Sequence, residues 1–67
     1  MTYYILEPKE EFAEGYFYAN ADTDKEAEDL AKEERPELSF KILGTLKDLK
    51  SMIDEGYPKA HDTVVEK

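Results

Sequence analysis

The chain has 67 residues, with 17 Asp+Glu against 9 Lys+Arg, a net charge of −8, one histidine and no cysteine; this is the composition of one small acidic domain. Disulfide frameworks and cysteine zinc sites are excluded for want of thiols, and the longest apolar run, Tyr3 to Leu6, is far too short to span a membrane. Direct nucleic-acid binding needs a cationic surface and is opposed by the sign of the charge, and with no basic region followed by an apolar stretch at the N-terminus the expected location is the cytoplasm.

Residues 2–7 are β-branched, aromatic and apolar on both faces, which predicts a central strand. A polar loop follows over 8–14, ending at Gly15. Residues 16–21 alternate, with Phe17, Ala19 and Ala21 on one face and Tyr16, Tyr18 and Asn20 on the other. Thr23-Asp24-Lys25-Glu26 has the form of a capping box. It opens a helix to about Arg35, where Pro36 stops it, and Ala27, Leu30 and Ala31 form its apolar face. Of the flanking charges, Lys25–Asp29 and Glu28–Lys32 have pairing distance, while Glu26, Asp29 and Glu33 define an acidic flank.

Residues 38–43 alternate again, with Leu38, Phe40 and Ile42 inward and Gly44 as terminator. Thr45, with Asp48 three residues on, predicts the cap of a second helix buried through Leu46, Leu49, Met52 and Ile53. Gly56 falls where a left-handed cap belongs, with Tyr57 packing back on Met52. The expected fold is thus an α+β mini-domain of order ββαβα. Its sheet is three-stranded and antiparallel in the order 2-1-3, and both helices cover one face. The compact unit is expected over 1–58, with 59–67 a flexible tail.

The chain is poorly equipped for catalysis. His61 has no cysteine partner, and Ser39 and Ser51 fall mid-strand and mid-helix rather than on a sharp turn that would present a nucleophile. Asp22, Asp24, Glu26, Glu28 and Glu33 match the acidic spacing of a calcium loop, but the required glycine is Ala27 and the capping box makes the segment helical. No enzyme activity, metal or cofactor is expected.

The charge is unevenly placed. Residues 7–37 hold twelve acids and four bases, whereas 38–67 hold five of each. Such asymmetry points to an interaction surface. The candidate residues are Glu10, Glu11, Glu14, Asp22, Asp24, Glu26, Asp29, Glu33, Glu34 and Glu37. A second candidate interface is the tyrosine-rich sheet face left open by the helices, with Tyr4, Tyr16 and Tyr18.

In length, acidity, lack of cysteine and ββαβα pattern over residues 2–57, the chain resembles small acidic phage-encoded proteins, in particular anti-CRISPR and other DNA-mimicking inhibitors of bacterial defence. That resemblance implies stoichiometric inhibition without catalysis, by occupying a basic nucleic-acid-binding or partner-docking site on another protein, in a bacterial host cell. The alternative expectation is a small adaptor or self-associating domain, possible as a homodimer, that uses the tyrosine face.

Overall fold

A computed structural model describes residues 2–47, 49–57 and 61–66. The fold is α+β, with a four-stranded mixed sheet and two helices. In chain order the elements are β1 (Thr2–Pro8), β2 (Phe17–Ala21), α1 (Asp24–Glu34), β3 (Phe40–Leu46), α2 (Leu49–Asp54) and β4 (Thr63–Glu66). The sheet order is β3-β1-β2-β4. β1 pairs antiparallel with both β2 and β3, and β4 adds parallel to β2.

β1 is central among the three strands foreseen in the sequence, and its apolar residues serve both faces. Leu6 and Tyr4 pack with Phe17, Ala19 and Ala21 of β2, with Leu38 and Phe40, and with Ala27, Leu30 and Ala31 of α1. Small alanines let the helix sit close to the sheet, and the Phe17 and Phe40 rings meet edge to face at 4.8 Å. The start of α1 follows its local signal: Thr23 is extended at φ −138° and its hydroxyl accepts from the Glu26 N–H at 3.2 Å.

The tail is not loose throughout. Thr63–Glu66 forms a fourth strand, in register with β2 from Phe17↔Thr63 to Asn20↔Glu66. Its β-branched run is short, and much of what holds it is tertiary. The Thr63 N–H donates to the Tyr16 carbonyl, and the Asp62 carboxylate accepts from the Tyr16 N–H and the Tyr18 hydroxyl.

The two helices lie on opposite faces, not on one. The cause is visible in β3, where Leu6 pairs with Ile42 but Ile5 pairs with Gly44, leaving Leu43 as an extra residue. A bulge of this kind shifts the parity of the side chains beyond it. Leu46 therefore faces away from Phe40 and packs with Tyr3, Tyr18 and Met52 of α2. Topology requires the same outcome: α1 carries the chain from β2 to one edge of the sheet, and α2 carries it back from β3 to the other. Connections of one hand that run in opposite directions fall on opposite faces.

The bulge also lets β3 continue past Gly44, so that Thr45 is a strand residue and not a helix cap. Asp48 and the side chain of Leu49 lie outside the described residues. Among the described side chains of α2 Met52 is buried, while Ile53 is 60% exposed. The end of α2 is as expected. Gly56, at φ 86°, donates to the Ile53 carbonyl, and Tyr57 donates to the Met52 carbonyl while packing against the cluster that holds Met52.

Candidate functional site

Among the described residues no charged side chain is buried, so the acid excess lies at the surface. It divides into three groups. The first belongs to the loop between β1 and β2, and the loop is fixed to the rest of the fold at both ends. The Lys9 N–H donates to the Ser39 carbonyl at 2.9 Å, and Glu10 Oε1 accepts from the Ser39 N–H at 2.9 Å. At the other end Gly15 takes φ 82° and lies directly against the His61 backbone. Glu10 is therefore a structural residue as well as a surface acid. Glu11 and Glu14 are exposed, and Glu14 Oε2 lies 3.7 Å from His61 Nε2.

This loop forms one wall of an open groove of about 500 Å³, lined by Glu7, Pro8, Lys9, Glu10, Glu11, Ala13, Gly15, Tyr16 and Asp62. The carboxylates outnumber the single lysine, and Tyr16, 36% exposed, is the aromatic residue along the groove. A cationic side chain fits such a site through both charge and ring contact.

The second group surrounds the start of α1. Asp22 and Asp24 are exposed and Glu26 is half-buried. The Tyr4 phenol stands above its ordinary pKa, first through burial and then through Asp24, which attracts its proton by charge and hydrogen bond, with Asp22 and Glu26 adding charge. All three acids thus favour the protonated Tyr4 phenol.

The third group runs along α1 and past it. Asp29 lies 3.7 Å from Lys25, one helical turn away, whereas Glu28 and Lys32 form no ion pair among the described residues. Glu37 accepts from the Arg35 guanidinium at 3.0 Å. Its carboxyl sits below the ordinary value because its own backbone N–H, then Arg35, favour the charged form. Among the described residues, Glu11, Asp22, Asp24, Glu33 and Glu34 have no Lys or Arg ion-pair partner. The expected flank of Glu26, Asp29 and Glu33 is thus partly neutralised at Asp29.

The three tyrosines do not share an open face. Tyr18 is fully buried in the cluster with Met52 and Tyr57, with ring centroids 5.4 Å apart in the Tyr18–Tyr57 pair. Tyr4 lies half-buried on the opposite, α1-covered face, and Tyr16 is exposed. The expectation of an open tyrosine surface fails because Met52 of α2 and Tyr57 just after it pack on that side of the sheet.

The sequence reading did not place Glu7 and Asp62 at the site. Glu7 is the one exposed residue of an otherwise apolar strand, and its charge is the signal. Asp62 reaches the groove only through the pairing of β4, whose one local hint is Val64-Val65. Among the described residues no three His, Asp or Glu side chains converge as a metal site, and no helix is long and apolar enough to cross a membrane. Comparison with protein-family models, curated proteins and solved structures gives no match.

Proposed function

We propose that this chain is a non-catalytic protein ligand whose acidic surface occupies the basic nucleic-acid-binding or docking site of another protein, as DNA-mimicking and anti-CRISPR inhibitors do. The observation that carries this reading is the confinement of the whole −8 charge to residues 7–37, whose carboxylates are held at the surface on a hydrogen-bonded loop and a capped helix. Solubility alone needs no such segregation. Carboxylates fixed on rigid elements compete for the lysines and arginines that otherwise hold phosphates. The groove beside Tyr16 is the natural place for one inserted basic side chain, arginine above lysine, because a guanidinium bonds carboxylates in a plane and stacks on an aromatic ring.

The test is capture of partners from a bacterial lysate at about 0.1 M and 0.5 M salt, followed by displacement with duplex DNA; surface attraction is strongly screened over that range. A partner held only at low salt and released by DNA is expected. Neutralising the groove with the Glu7→Gln/Glu11→Gln pair, or reversing Glu26, Asp29 and Glu33 to lysine, is expected to weaken capture without unfolding the protein. Equal capture at both salts by wild type and both variants would sink the reading.

A further inference from the structure

β4 is held by polar anchors at its two ends and by one apolar contact, Val65 against the core beneath α1. Val64 is 38% exposed, Thr63 and Val65 are half-buried, and Glu66 is exposed. The anchors are carboxylates at its two ends. Asp62 Oδ2 accepts from the Tyr18 hydroxyl at 2.9 Å and Oδ1 from the Tyr16 N–H at 2.8 Å. Glu66 Oε1 accepts from the Tyr3 hydroxyl. Both phenols belong to the interior, with Tyr18 0% and Tyr3 5% exposed. Just before the strand, His61 holds φ 72°, a conformation unfavourable for a residue with a Cβ.

Beneath β4, the edge of β2 is a complete receptor for an extended segment. It supplies one row of backbone donors and acceptors and two phenol donors placed to receive carboxylates four residues apart, which lie on one side of a strand. We propose that β4 is a releasable strand, and that when it opens the β2 edge takes the C-terminal strand of a second copy of this chain. The opened state leaves an unpaired strand edge and two interior hydroxyls without acceptors, which favours refilling. The segment that satisfies every anchor is the chain's own Asp62–Glu66, so a second copy restores each bond in exchange, as in strand swapping. Asp62 also lines the groove beside Tyr16, so opening of β4 removes one carboxylate from that groove.

Native-state hydrogen exchange on the full chain is the first test. The Thr63 amide, which donates to the Tyr16 carbonyl, is expected to exchange at least about tenfold faster than the amides paired between β1 and β3, through an opening that leaves the rest folded. A single common rate would overturn the proposal. The second test offers a labelled peptide with the sequence of residues 61–67 to the full chain carrying Asp62→Ala/Glu66→Ala, which weakens the resident strand but keeps the acceptor. The variant is expected to bind the peptide about tenfold more tightly than wild type does, since its acceptor is open for more of the time. A peptide lacking both carboxylates is expected not to bind. A folded variant that ignores the peptide would overturn the acceptor site; should the variant fail to fold, the exchange rates on wild type decide. Light scattering of concentrated wild type, warmed to near its unfolding midpoint and cooled, is expected to show a dimer, and a monomer throughout would overturn the second copy as occupant.

Discussion

At Gly15 the backbone takes φ 82°, and the place a Cβ would occupy overlaps the His61 carbonyl. Two penalties then coincide: the left-handed conformation disfavours any side chain, and the colliding atom is backbone that cannot swing aside. Gly15→Ala is expected to cost at least about 2 kcal/mol, read from the urea midpoint. A change below about 0.5 kcal/mol would show that the 61–62 segment is not held against this loop. Asp62 and Glu66 make a second residue-scale argument. Burial, then the bond to Asp62, raises the Tyr18 phenol far above its ordinary value, and the bond to Glu66, then burial, raises that of Tyr3. The folded state therefore prefers both phenols protonated. Their contribution is complete below the unfolded value of about 10 and is lost as pH rises past it towards the folded values. Urea midpoints are expected to hold between about pH 7 and 9 and to fall above 10. Tyr18→Phe is expected to flatten that fall while costing about 1–2 kcal/mol at neutral pH, because one acceptor bond of Asp62 is lost. An alkaline fall unchanged in Tyr18→Phe would remove this phenol from the account.

Element by element, stability follows how local each cause is. Removing the hydroxyl that caps α1, by Thr23→Ala, is expected to cost about 1 kcal/mol in chemical unfolding, since the Glu26 N–H then loses its partner. A cost near zero would mean that packing of Ala27, Leu30 and Ala31 alone fixes the start of the helix. That same locality made α1 legible in the sequence: cap, stripe and stop all lie within one short segment. The central strand, the alternation of Phe17, Ala19 and Ala21, and the left-handed stop at Gly56 were legible for the same reason. The opposite placement of α2 was not, because it depends on the extra residue Leu43, and nothing in Lys41-Ile42-Leu43-Gly44 marks a bulge until the strand is set beside β1. Nor was β4, whose anchors join residues from opposite ends of the chain, Tyr3 with Glu66 and Tyr18 with Asp62. The candidate site divides likewise. That the acids are exposed could be read from residue type and helical position. That Glu7, Glu11, Tyr16 and Asp62 line one groove depends on a parallel strand pair whose only local hint is two valines.

For the whole molecule, the charge that recommends a partner also strains the fold. Folding gathers a net −8 into a small volume, and Glu11, Asp22, Asp24, Glu33 and Glu34 have no Lys or Arg ion-pair partner among the described residues to offset their repulsion. Added salt screens that repulsion more in the compact state than in the expanded one. The melting temperature is therefore expected to rise by roughly 3–8 °C between about 0.02 and 0.3 M salt, equally in NaCl and KCl. A variant with Glu11, Glu33 and Glu34 changed to glutamine is expected to start higher at low salt and to respond less. Its gain in stability and its loss of partner capture should appear together, the relation expected where acids are kept for binding at the expense of the fold. If the variant is no more stable at low salt, the acids are not repelling one another appreciably and the acidity is not held against stability. If it gains stability and captures its partner as well as wild type does, these three carboxylates lie outside the contact, and binding would then be sought at the groove acid Glu7 and at the acids around Tyr4.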